Sequence, residues 1–188
     1  YKTDVKLVYD DNVIYIAGLM YDPHTDSILC ELSVRDAAFH GPNADAFGFL
    51  LDAFNDGQNA VFFGLTACGV QADTRIADPG NYDDSYNVVW ESKTRITDLG
   101  WQLEMRIPYS AIRFPKREIQ EWKINFARQM KRNKEFSHWN RVDPKEQGAI
   151  HQCGILNGVS NIKAPLRLSF TPYVSVYADN YAGSNSFL

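Results

Sequence analysis

The residues best suited to chemistry are carboxylates and amides gathered around glycine. LDAFNDGQ places Asp52, Asn55 and Asp56 beside Gly57, a set of hard oxygen donors that calcium would suit. A calcium loop of the helix-loop-helix kind needs donors at alternating positions and a closing glutamate. Counting from Asp52, the third position is Phe54 and the twelfth is Phe63, so that pattern fails. The other reading is a hairpin. Phe47, Phe49 and Leu51 alternate on one side, Val61, Phe63 and Leu65 on the other, and Asp56-Gly57 between them is a strong turn signal. A second acidic group, Asp73, Asp78, Asp83 and Asp84, surrounds DPGNYDDSYN, whose composition is that of a surface loop. It reads first as solvated charge and second as oxygen donors. Asp52, Asp78 and Asp83 are therefore the candidate metal ligands, with calcium the candidate cofactor. His24, His40, His138 and His151 show no ligand spacing.

Three further residue types carry a choice. In WKINFARQM, alternation groups Arg128 with Trp122, Ile124, Phe126 and Met130, away from Lys123, Asn125, Ala127 and Gln129. A buried guanidinium needs a carboxylate, and Asp73 and Glu104 are the candidate partners; a ligand carboxylate is the sharper alternative. Trp139 lies in EFSHWNRVD, where no alternation requires an aromatic, so it either stacks on a ring-shaped ligand or packs over a sheet edge. Trp90, Trp101 and Trp122 lie in alternating runs and read as core. Cys30, Cys68 and Cys153 are odd in number and lack zinc-site spacing, so each reads as a small buried hydrophobe.

These residues must be held by strands. The chain has 188 residues, 45% hydrophobic, 22% charged and 13% aromatic, with a net charge of −4. That suits one globular domain; the absence of a basic cluster argues against nucleic acid, and no apolar run is long enough for a membrane-spanning helix. Tyr1 is not an initiator, so the lack of a leader sequence says nothing. VKLVYDDNVIYIAGLMYD reads as two strands around Asp11-Asn12, followed by a short strand near Ile28 to Val34. Val88 to Ile96, Trp101 to Ile107 and Trp122 to Met130 are further strands. In the second of these Trp101, Leu103, Met105 and Ile107 share a face opposite Gln102, Glu104 and Arg106. Pro108 stops it, and Ser110 can cap one helical turn through Phe114. A polar loop, KRNKEFSHWNRVDPKEQ, precedes the short run AIHQCGIL, and LRLSFTPYVSVYADNYAG alternates again. The fold class is all-β: a two-sheet antiparallel β-sandwich with one short helical turn.

GWQLEMRIPYSAIRF, taken with DAFGFLLDAFND, WKINFARQ and the opening strand pair, resembles the family 9 carbohydrate-binding modules. The similarity covers residues 3–157, and the order of the motifs, Asp45 to Asp52, Gly100 to Pro108 and Trp122 to Phe126, is more specific than any one of them. The resemblance is closer to a subgroup that precedes a β-barrel in bacterial outer-membrane proteins, where phrases such as VVWESKTRITDLGW and SAIRFP recur. It implies a sandwich over residues 1–163 whose opening strand lies before Tyr1. Residues 164–188 would be a linker and the first strand of a following barrel. The location it implies is the periplasm or cell surface, in association with the outer membrane.

The resemblance also implies a non-catalytic domain that binds a polysaccharide or oligosaccharide. Relatives attached to xylanases hold a sugar between two tryptophans, and those positions fall here near Pro42 and Gln147. Their supporting polar side chains fall at Gly48, at Phe62 to Gly64 and at Ala127, so that clamp does not carry over. The face bearing Gly48, Asp52, Phe62, Gly64 and Thr66, with Asn125, Ala127 and Gln129, reads instead as a shallow groove without a stacking platform. The carbohydrate-binding candidates are Trp139, Asn125, Gln129, Arg128 and Asp73. The rival readings are a docking domain for the barrel or a partner protein, a glycoside hydrolase, and a haem-b module with Met105 as ligand.

Overall fold

The computed structural model describes residues 1–37, 41–164, 172–176, 179–181 and 184–186. Along the chain run β1 (Thr3–Tyr9), β2 (Val13–Tyr21), β3 (Ala46–Asp52), β4 (Asn59–Thr66), β5 (Gln71–Ala77) and β6 (Asn81–Asp83). There follow β7 (Glu91–Thr97), β8 (Gly100–Pro108), β9 (Ile119–Met130), β10 (Glu135–His138) and β11 (Gly154–Ser160). One sheet has the order β1-β2-β8-β7; the second has the order β10-β9-β3-β4-β5-β6, with β11 also on β9. The sheets pack face to face over one core. Ile14, Ile16 and Met20 of β2 and Trp101, Leu103, Met105 and Ile107 of β8 meet Phe47, Phe49, Leu51, Phe63, Leu65, Trp122 and Ile124. The all-β antiparallel sandwich is as expected.

Both hairpins form as their sequences dictate. Asp10 accepts hydrogen bonds from the amides of Asn12 and Val13 and closes the β1–β2 turn. In the β3–β4 turn Gly57 takes φ +69°, and the Asp52 carboxylate accepts from the amides of Phe54 and Gly57 at 3.0 and 2.8 Å. Asp56 accepts from Gln58 and Asn59. The oxygens of LDAFNDGQ thus serve the turn itself.

Several expectations are corrected. Residues 28–34 form no strand: Cys30 makes one isolated bridge to Ala44, and Leu32 and Val34 lie exposed. What holds this segment is covalent, because Cys30 is disulfide-bonded to Cys68, leaving Cys153 as the free, buried thiol. Sequence parity alone had concealed that pair. The helical turn is a 3-10 turn at Tyr109–Ala111 that already contains Ser110, so Ser110 is not its cap. Within the polar loop after Met130, Glu135–His138 form the edge strand β10.

Arg128 is buried as alternation implied, but neither Asp73 nor Glu104 is its partner. Its guanidinium donates to Lys2 O, Thr3 Oγ1 and Tyr21 O at 3.0 to 3.1 Å, bridging from β9 to the β1–β2 pair. Asp73 is instead taken by Arg35, by Trp90 Nε1 and by the Val88 amide. Glu104 points outward from β8.

In the C-terminal stretch, β12 (Asp179–Tyr181) pairs with β13 (Ser184–Ser186), and Tyr173, Val174 and Val176 are exposed. The remainder of the segment expected to begin a barrel, residues 165–171, 177–178, 182–183 and 187–188, lies outside the described residues.

Candidate functional site

The outer face of the seven-stranded sheet carries an open groove of about 680 Å³. Its floor follows from strand register. Ala127 of β9 pairs with Gly48 of β3, Gly48 with Gly64 of β4, and Gly64 with Ala72 of β5, so a row of small side chains crosses four strands. The next row, Asn125, Leu50, Phe62 and Thr74, is taller. Phe62 leans from it over Gly48: a Cβ there would lie 2.4 Å from the ring. Absent side chains make the trench, and an aromatic ring paves part of it.

The walls come from segments far apart in sequence. On one side, β10 pairs His138 with Ala127 and Phe136 with Gln129, which extends the same rows outward. The Phe136 and His138 rings meet edge to face at 4.9 Å, and Phe136 is 50% exposed. On the other side Tyr82 of β6, 59% exposed, stands opposite Ile76. Asp84 follows it, and Asp36 enters from the disulfide-tied segment, its carboxylate accepting from the Asp73 amide. A fourth boundary, Val142, Ala149 and Cys153, belongs to a loop pinned from below. Asn125 binds both the amide and the carbonyl of Asn140 at 2.8 Å, and Asp78 accepts from the Ile150 amide at 2.9 Å.

The expectation of a groove without a stacking platform is corrected: Phe62, Tyr82 and Phe136 all line it. The signal was present in EFSH, where Phe136 and His138 share a face at a spacing of two. All four residues of β10 are exposed, however, so no alternation between apolar and polar marked it as a strand. Partial desolvation of the His138 imidazole lowers its pKa from the ordinary 6.5 although the residue as a whole is exposed, so it is neutral near pH 7. Burial pushes the Cys153 thiol up to about 12, which makes it an inert wall rather than a nucleophile.

Of the sequence candidates, Asn125, Gln129 and Asp73 are brought to this groove. Asn125 is committed to the Asn140 loop and Asp73 to Arg35, Val88 and Trp90, whereas the buried Gln129 Oε1 has no hydrogen-bond partner. Arg128 faces the space between the sheets. Trp139 lies outside the groove, its ring close against Gly154 and edge to face with Phe126 at 5.9 Å, covering the edge of β9 where β10 gives way to β11. It is still 62% exposed.

The metal candidates do not assemble. Asp52 is occupied by its turn, Asp78 by Ile150, and Asp83 by Ser85. Among the described residues no three of His, Cys, Asp and Glu come together as a metal site. Met105, the haem candidate, is sealed in the core at 1% exposure.

No family model matches the chain, and no curated protein matches it. Among solved structures, the fold is similar to that of a "putative carbohydrate-binding protein" from Bacteroides uniformis. The TM-score is 0.64 at 16% identity, over 84% of this chain and 79% of that one. At that identity the likeness is one of fold.

Proposed function

We propose that this domain is a non-catalytic, carbohydrate-binding-like module of a bacterial cell-envelope protein, and that the saccharide lies in the groove on the seven-stranded sheet. The observation that carries the reading is the pair of half-exposed rings, Tyr82 and Phe136, on the walls of a groove whose floor is apolar and partly paved by Phe62. Sugar rings offer C–H faces that stack on aromatic rings, while sparse polar groups fix orientation. The volume suits a few sugar units, since small-ligand sites run to roughly 300–1,000 Å³. The fold shared with the Bacteroides protein supports the same reading.

A hydrolase would need two available carboxyls facing each other across the cleft. Asp36, Asp73 and Asp84 line it, but Asp73 is committed to Arg35 and Trp90 and Asp36 to the Asp73 amide, which leaves Asp84 as a single carboxyl rather than a facing pair. The envelope setting draws support from the Cys30–Cys68 disulfide, which persists in oxidising compartments such as the periplasm. The resemblance to modules that precede an outer-membrane barrel supports it too. A second reading, docking of the barrel or a partner protein in the groove, is favoured by how apolar its floor is.

Glycan-array screening followed by calorimetry tests the module. Binding in the micromolar range is expected, weakened about tenfold or more by Phe136→Ala and left unchanged by Trp139→Ala. Loss on Trp139→Ala alone would move the site to the sheet edge. Absence of binding to any glycan would favour docking.

A further inference from the structure

The groove is lined by unequal charges. Asp36, Asp73 and Asp84 contribute carboxylates, His138 is held neutral, and among the described residues no lysine or arginine lines it. Asp73 is paired with Arg35. That same guanidinium also binds Gln71 and the Val88 carbonyl and forms a longer ion pair with Asp36 at 3.8 Å, so Asp36 and Asp73 share a single positive charge. Asp84 makes no ion pair among the described residues, and the nearby Arg75 stacks over Tyr86 at 4.8 Å and approaches Asp83 instead. The neutral polar group without a partner is also an acceptor, Gln129 Oε1. Among the described residues the groove thus presents acceptors and π-faces, and no lysine or arginine donors.

Resting on the saccharide reading above, we propose that the groove selects a cationic saccharide, one bearing free ammonium groups on its rings. An ammonium is attracted both by the excess of carboxylates, three against the one guanidinium of Arg35, and by the faces of aromatic rings, here Tyr82 and Phe136. It also supplies the donors that Gln129 and Asp84 lack. A uronic acid or sulfated sugar would meet the excess carboxylates of Asp36 and Asp84 with no lysine or arginine lining the groove among the described residues, and a neutral sugar would gain the stacking alone.

The test is calorimetry of the 188-residue chain with three oligosaccharides of equal length. These are fully deacetylated chito-oligosaccharide below its amine pKa, its fully N-acetylated counterpart, and oligogalacturonate. The deacetylated ligand is expected to bind about tenfold or more tightly than the acetylated one. That preference should collapse in an Asp36→Asn/Asp84→Asn double variant with unchanged thermal melting. Asparagine keeps the carbonyl that receives the Asp73 amide and tolerates the positive φ of Asp36, 69°. Equal or tighter binding of the acetylated or acidic oligomer would overturn the cationic selection and leave a saccharide module standing. A preference that survives the double variant would trace to the overall charge of −4 and overturn selection by the groove. No binding to any of the three, nor on the wider array, would overturn both readings.

Discussion

On the four-stranded sheet, β8 turns Gln102, Glu104 and Arg106 outward, opposite Arg95, Lys93 and Glu91 of β7. These long side chains cover their own backbone, and Arg106 reaches Glu91 at 3.1 Å. On the seven-stranded sheet the same alternation turns Ala127, Gly48, Gly64 and Ala72 outward. The inner faces of the two sheets are alike, closely packed aromatic and branched side chains. The outer faces differ in volume: one row is long and charged, the other nearly absent. A sandwich gains a groove by omitting side chains from one layer and raising walls from neighbouring loops, with no change of strand order.

The comparison breaks first where the two sheets are joined. Arg128 is 6% exposed and satisfies two carbonyls and a hydroxyl of the β1–β2 pair, with the Asp22 and Asp45 charges close by. Arg128→Met is expected to cost about 3–5 kcal/mol in urea unfolding, because it removes the bridge to the β1–β2 pair and a positive charge close to the buried Asp22 and Asp45 carboxyls. Arg106→Met, which removes the same charge from the exposed pair, is expected to leave the unfolding midpoint unchanged. Equal effects would mean that Arg128 is as solvated as Arg106 and that the bridge between sheets is incidental.

A smaller effect is expected in the floor. Gly48→Ala sets a methyl 2.4 Å from the Phe62 ring and 2.8 Å from the Phe63 carbonyl; the ring can swing aside but the backbone cannot. A loss of about 1–3 kcal/mol follows, together with weakened ligand binding. Glu104→Ala on the other sheet meets only solvent, and no measurable loss is expected. If Gly48→Ala were neutral, the floor would be loosely packed and the trench would not depend on that glycine.

Which parts were legible follows from the same contrast. Trp101, Leu103, Met105 and Ile107 announced a strand because burial on one face imposes a period of two. The small row through Gly48, Gly64 and Ala127 was also readable, since alternation fixes which residues share its face. The walls were not. Phe136 and Tyr82 lie on short exposed strands whose pattern owes nothing to burial, and they meet only through sheet pairing across the fold. Arg128 could be read as buried, but its acceptors are carbonyls of Lys2 and Tyr21, which any residue type would supply. The Cys30–Cys68 pairing is set by a contact across 38 positions of sequence and had no local signature.

The smallest effect divides two carboxyls that burial alone would treat alike. Asp22 and Asp45 are each 1% exposed, and each has one oxygen without a partner. Burial pushes both upward from the ordinary 3.8; at Asp22 the Arg132 guanidinium at 2.7 Å and the His24 amide outweigh it, so its pKa falls. At Asp45 the Lys131 amide is the direct donor and burial prevails, so its pKa rises. The consequences for stability have opposite sign. Asp22 stabilises the fold above its unfolded value, and this is lost as the pH falls through its depressed native value. Asp22→Asn should therefore cost most at neutral pH and progressively less below about pH 4. Asp45 favours the fold while protonated and loses that contribution as the pH rises through its raised value. Asp45→Asn, which keeps an oxygen for the Lys131 amide, should improve relative to the unmutated protein between acid and neutral pH. Urea titrations of the two variants at pH 3, 5 and 7 should give slopes of opposite sign; parallel slopes would mean that Arg132 compensates both carboxyls equally.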